Sequence, residues 1–495
     1  MEVECSFPVV QRRLGGEAGE GMTGGIGGNS GTGISSVAPA YLPTLAAVFL
    51  LALIVRLLNL AFLPLEPDLL LLADAGMYWN EAKVILQHRA FVNFAGEPNT
   101  ERVPYYYAFL AVFQYAFGDR FMPVLIAQQI LDSVSCILIA VLARSIRENL
   151  LVPAGLLSAV WPNLWIHSAQ ILTETLFLFF LVCGLVALVR LVDAPRPRHA
   201  IFAGLALGAA TMTRPVSQFL LIGLIAATPV VVYVQARNFR SVLLCGAAFT
   251  IAAAAPLLPH VVRNLTHFGS FALTSQNGTH VMNWVLPAII SSATGVPREQ
   301  AVAQMNLRLR QYAENRGISN PDLLNPFDRS HIYVATAVEA IRELPPGAVL
   351  KAWVVGAGTN FIVPPLLVDN RLQAMPRPSL VADTSGTWLE RAIQFVRLAS
   401  PGYLTLWVLS VAAAVVGAAM QLAGMILLLY RSPLWGFATI GLVAYFLLIN
   451  GPITSPKYRL PIEPVLIIWT AVFLTTAAAT LTRWRRRAAD RSKSR

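Results

Sequence analysis

Apolar runs separated by short polar breaks set the architecture of this chain. Runs at residues 41–63, 121–143, 150–166, 171–189, 200–212, 219–234, 242–261, 403–430, 434–450 and 461–481 each read as a membrane span. A helix closes its own backbone hydrogen bonds, which a segment in hydrocarbon must do. Two long polar stretches interrupt the series, at 65–119 and 264–397. In the first, 75–91 has helical character, while 105–117 is apolar and aromatic but too short to cross, so it is expected to lie in the interface until Gly118 breaks it. In the second, 299–315 and 331–343 read as polar helices. The apolar piece 348–367 contains Pro364-Pro365 and is expected to be interfacial or re-entrant. The pattern predicts an all-α polytopic membrane protein with about 10–11 transmembrane helices and two large outer loops.

Basic residues orient the spans. Arg12 and Arg13 precede the first; Arg144 with Arg147, then Arg190, Arg196 and Arg198, then Arg237 and Arg240 follow alternate spans. Arg431 and the tail Arg483-Trp484-Arg485-Arg486-Arg487 complete the set, and the positive-inside bias puts all of these on the cytoplasmic side. The opposite ends then face outward, carrying the 65–119 loop, His167 and Glu174, Arg214, Arg263, and Lys457-Tyr458-Arg459. The expected organisation is a Gly-rich disordered tail (1–40), a transmembrane catalytic module (41–263), an extracytoplasmic region with interfacial helices (264–397), further spans (398–482) and a basic cytoplasmic tail (483–495). No short basic start followed by an apolar core marks the first 40 residues as a cleavable signal.

Composition narrows this picture. Of 495 residues, 56% are hydrophobic and 13% charged, against roughly a quarter charged in a soluble domain. The formal charge of +11 sits largely in short loops and the tail, which argues for membrane topology and against a nucleic-acid partner. Cys136, Cys183 and Cys245 lie within apolar runs and Cys5 near the start, so neither a disulfide framework nor a metal-ligand spacing is implied.

The candidate chemistry gathers on the outer side. Asp74 lies just beyond a span with Tyr78 four residues on, hence on one helix face, and such an acid suits general-base work on a hydroxyl. It also suits helix capping, and the two roles can coexist. Glu174, near His167 and Gln170, is an ionisable group at membrane depth, either functional or a buried structural hydrogen bond. Arg102, Arg214, Arg263 and Arg459 occupy the side that topology disfavours for arginine. Guanidinium binds phosphate through paired hydrogen bonds, and a lipid phosphate lies at this depth; headgroup snorkelling is the plainer role for any one of them. Arg56 and Asp132 lie deeper and read as a structural pair or a solvated bundle interior. Gly204-x-x-x-Gly208 permits close helix packing.

Taken in order, Asp74-Ala75-x-x-Tyr78, Arg102-x-Pro104-x-Tyr106 leading to Phe117-Gly118-Asp119, Leu172-Thr173-Glu174, Thr211-x-Thr213-Arg214-Pro215, Arg263-Asn264-x-x-x-Phe268-Gly269 and Tyr458-Arg459-Leu460-Pro461 resemble the membrane GT-C glycosyltransferases. The branch is the protein O-mannosyltransferase and aminoarabinose transferase superfamily. The resemblance implies a GT-C type helical bundle and a polyprenyl-phosphate-linked sugar donor. It also implies transfer on the extracytoplasmic face of an inner or plasma membrane to a glycan, lipid or protein acceptor. It assigns Asp74 as catalytic base and Arg102, Arg214 and Arg459 to donor phosphate, with Tyr78, His167, Glu174 and Arg263 as substrate-binding residues. No cofactor or metal is firmly implied, although some relatives use a divalent cation near the positions of Asp74 and Glu174. Ala75 replaces the second acid of the mannosyltransferases' Asp-Glu pair, which weakens protein mannosylation as the activity. Two rivals remain: a transporter or flippase, whose polar residues would gather at mid-membrane on broken helices, and a non-catalytic subunit of an envelope assembly.

Overall fold

Helices follow one another from Pro39 to Lys493 in the computed structural model, which describes residues 39–376, 378 and 388–493. Among the described residues there is no strand, only an isolated antiparallel bridge between Val92 and Pro98. The disorder expected of the tail falls on residues 1–38, outside the described set, and Pro39–Tyr41 forms a turn of 3-10 helix.

Seven helices are long and apolar enough to cross a membrane, and up to nine spans result if each of two bent pairs counts as one. The protein is thus all-α and polytopic, with fewer clear spans than the 10–11 expected. The shortfall includes Pro197–Thr213, whose 17 residues rise only about 25 Å against a hydrocarbon core of about 30 Å. Its Gly204 and Gly208 bring it against Phe239–Ala254, backbone to backbone. A Cβ on Gly204 would lie 2.5 Å from the Phe249 carbonyl oxygen, and one on Gly208 2.6 Å from that of Ala253. No residue larger than glycine fits there without separating the helices.

Both bent pairs break near prolines. Glu148–Val160 meets Pro162–Ser168 at 48°, and Phe239–Ala254 meets Leu258–Phe268 at 56°. Proline cannot donate to the preceding turn, so its carbonyls need other donors. At the first bend Arg56 supplies them: Nη1 donates to the Ala159 carbonyl at 2.9 Å and Nη2 to that of Ser158 at 3.5 Å, while Nε donates to Asp132 at 2.6 Å. Arg56 is fully buried. This is the deep pair, and its work is to hold the turn that aims Asn163 and His167.

The first long polar stretch folds as a layer on the bundle. Helices Asp74–His88 and Tyr105–Phe117 pack together, with Tyr106, Tyr107 and Leu110 turned inward and Val112, Tyr115 and Phe117 exposed. The exposed apolar stripe suits the interfacial position expected for this helix. The second long polar stretch contains Leu286–Thr294, Arg298–Glu314 and Pro326–Glu343 around a small core of Met282, Leu286, Met305 and Ala337. The apolar piece becomes a helix, Pro346–Ile362, ended by the Pro364-Pro365 break.

Candidate active site

The polar cluster forms where three chain segments meet: the start of Asp74–His88, the approach to Tyr105–Phe117, and the one-turn helix Pro456–Arg459. Asp74 is the first residue of its helix, and the capping position falls to Ala73. The Asp74 side chain turns to two cations. Lys457 Nζ donates to Oδ2 at 3.1 Å, and Arg102 Nη2 lies 3.7 Å from Oδ1. The residue before it, Ala73, has φ 52° and ψ −125°, a conformation that costs a non-glycine residue about 1–3 kcal/mol. Gly76 must be small, since a Cβ there would meet the Leu71 carbonyl oxygen at 2.9 Å. The backbone is thus held in an unfavourable entry that presents the carboxylate to Lys457 and Arg102.

Charge on Asp74 is well supported. Partial burial pushes its carboxyl up, but Lys457, Arg102 and then Arg214 outweigh that and hold it below the usual carboxylate range. The start of a helix adds a favourable dipole. Tyr78, one turn on, packs edge-on to Tyr106 at 5.3 Å and against Tyr107 at 5.1 Å. Arg102 stands 5.9 Å from the Tyr78 ring. Burial raises the Tyr78 hydroxyl above its ordinary value, so it stays protonated at neutral pH. Arg102 Nε is buried without a partner.

Arg214 joins the cluster from the end of Pro197–Thr213. Its Nη1 donates to Glu174 Oε1, and its guanidinium sits 5.8 Å from the Phe177 ring. Glu174 is 2% exposed; its role here is to hold Arg214, with Thr173 Oγ1 donating to its second oxygen at 3.1 Å. Arg102, Lys457 and Arg214 thus gather around the carboxylates of Asp74 and Glu174. His167 is buried beside them, with Nδ1 2.9 Å from the Asn163 carbonyl oxygen and Nε2 unpartnered.

Arg459 and Arg263 lie elsewhere. Arg459 turns inward, with Nε 2.8 Å from Glu463, and Glu463 also accepts from Trp161 at 2.6 Å and Asn163 at 2.7 Å. Arg263 clasps the first loop: it donates to the Asn99 carbonyl at 2.6 Å and to Asn264 at 2.7 Å. The structure thus brings together Asp74, Tyr78, Arg102, Glu174 and Arg214, with His167 alongside. It adds Lys457, which sequence reasoning placed on the outer side without giving it a role. Among the described residues no group of three His, Cys, Asp or Glu side chains gathers as a metal site.

No curated protein matches the chain. Among solved structures, ArnT from Cupriavidus metallidurans in the apo state aligns at 14% identity over 89% of this chain and 77% of that one, with a TM-score of 0.35. ArnT from the same organism bound to undecaprenyl phosphate aligns at 15% identity over 88% and 77%, also with a TM-score of 0.35. Residues 101–261, which include Arg102, His167, Glu174 and Arg214, match the family model described as dolichyl-phosphate-mannose-protein mannosyltransferase, so the resemblance to the GT-C membrane glycosyltransferases rests on a family-model match spanning about a third of the chain as well as on motifs.

Proposed function

We propose that this protein is a membrane glycosyltransferase that moves a sugar from a polyprenyl-phosphate carrier to a hydroxyl of an envelope glycan, lipid or protein, on the extracytoplasmic face. The observation that carries the reading is the half-open carboxylate of Asp74 between Lys457 and Arg102. Asp74 accepts the acceptor's proton as its oxygen attacks the anomeric carbon. The carbon–oxygen bond to phosphate breaks, and the anionic polyprenyl phosphate leaves against Arg102, Lys457 and Arg214.

The same cations serve both groups, which links binding to chemistry. A carboxylate gripped by Lys457 and Arg102 is ionised but weakly basic. When donor phosphate draws those cations to itself, Asp74 regains basicity as the substrate arrives. Tyr78, protonated and wedged among Tyr106 and Tyr107, gives the sugar an aromatic wall.

The test is Asp74→Asn, assayed in membranes for transfer from labelled polyprenyl-phosphate sugars. Transfer is expected to fall by about 10²–10⁴-fold, the usual contribution of a positioned base, at unchanged protein level. Unaltered transfer would end the reading, and altered uptake of a solute would favour a transporter.

A further inference from the structure

We propose that the opposite end of the bundle holds a second site, a seat for the phosphate headgroup of an anionic phospholipid. The proposal does not depend on the transferase reading. The last long helix begins at Glu463, beside the Arg459 network, and reaches Arg483 about 30 Å further along, the thickness of the hydrocarbon core. There it meets the ends of two other spans. A cavity of about 230 Å³ opens between them, lined by Arg147, Asn149, Arg431, Thr476, Thr480 and Arg483.

Its electrostatics are one-sided. Three guanidinium groups border the cavity and no carboxylate does. Among the described residues, none of Arg147, Arg431 and Arg483 forms an ion pair, whereas neighbouring Arg144 pairs with Glu148 at 3.8 Å. Arg431 is fixed by donating Nη1 to Thr476 Oγ1 at 2.8 Å. Thr476 and Thr480 also line a second space, a groove of about 470 Å³ walled by Leu427, Phe473, Leu481 and Trp484. A basic cavity and an apolar groove thus share a threonine edge.

That adjacency selects the ligand. Free phosphate would use the cavity and ignore the groove, and an uncharged lipid would use the groove alone. A phospholipid with net negative charge uses both: its phosphodiester takes the arginines and one acyl chain follows Leu481 and Trp484.

The experiment is native mass spectrometry of the full chain in zwitterionic detergent with equal phosphatidylglycerol and phosphatidylcholine. Phosphatidylglycerol is expected to be retained about tenfold more. Combined Arg147→Gln, Arg431→Gln and Arg483→Gln should erase the preference. Combined Arg485→Gln, Arg486→Gln and Arg487→Gln, an equal charge loss outside the cavity, should leave it. Should the first variant fail to fold, Arg483→Gln alone is expected to weaken retention about fivefold, and no loss there overturns the proposal. Equal retention of the two lipids, an equal fall in both triple variants, or displacement of the lipid by millimolar inorganic phosphate would also overturn it.

Discussion

Arg56 with Asp132 and Arg102 with Asp74 are the same two chemical groups in two settings. The first pair is closed at 2.6 Å, with side chains 0% and 2% exposed, and its remaining donors go to Ala52, Ala159 and Cys136. The second stands 3.7 Å apart, 22% and 37% exposed; Asp74 is shared with Lys457, and Arg102 Nε has no partner. Burial with full satisfaction makes a pin. Looser contact with spare capacity makes a site, because the hydrogen bonds a ligand needs have not been used up within the protein. Proximity of opposite charges alone does not separate the two; the accounting of donors does.

The comparison is broken most severely at the pin. Arg56→Met leaves Asp132 buried and uncompensated, which typically costs about 3–5 kcal/mol. The expected result is loss of monodisperse protein on size exclusion in mild detergent. The double variant Arg56→Met with Asp132→Leu should recover much of the loss, since an apolar pair of similar volume replaces a buried ion pair well. A single variant as stable as the parent would mean that Arg56 is not holding the bend.

At the open pair the same change is expected to move function instead. On the proposed reading Arg102→Met removes a charge-assisted contact to phosphate, worth about 1.5–3 kcal/mol, and should raise KM for the lipid-linked donor about 10- to 100-fold. Unfolding should change little, because removing one of three clustered cations also relieves repulsion. If Arg102→Met unfolds the protein as Arg56→Met does, the two settings are not different in kind.

Much of this contrast can be read from the chain. Apolar runs locate most spans, and of the four arginines that the charge pattern assigns to the disfavoured side, Arg102 and Arg214 gather near Asp74 while Arg263 and Arg459 do not. The choice between Lys457 and Arg459 is not legible. They are two residues apart in a one-turn helix, where neighbours at that spacing point to different sides. Only the helix orientation decides which meets Asp74, and Arg459 turns to Glu463 one turn along its own chain. The bend at Trp161–Pro162 is also hidden, because residues 150–166 read as one continuous apolar run while the donor that makes the break tolerable, Arg56, is 103 residues from Ala159.

Lys457 allows a finer test through pH. It holds the Asp74 carboxyl low, so Lys457→Met should raise that group's pKa. In the proposed mechanism the base acts only when ionised, and the acidic limb of kcat/KM should therefore move to higher pH. An unmoved limb in this variant would mean that the group titrating there is not Asp74, or that Lys457 does not face it in the working enzyme.

The smallest effect is expected at a third pair that is neither pin nor site. Lys83 Nζ lies 2.7 Å from Asp119 Oδ2, shorter than the contact at Asp74, yet the side chains are 37% and 62% exposed. Water competes for both groups, so such a pair contributes about 0–1 kcal/mol. Asp119 keeps a second partner, Trp79 Nε1 at 2.8 Å, which holds its carboxylate in place without the lysine. Lys83→Gln should therefore shift the unfolding midpoint only slightly and leave KM for the donor and the pH profile unchanged. A large loss of transfer from this variant would show that distance alone had been the better guide, and that exposure and donor accounting had misread which acid matters.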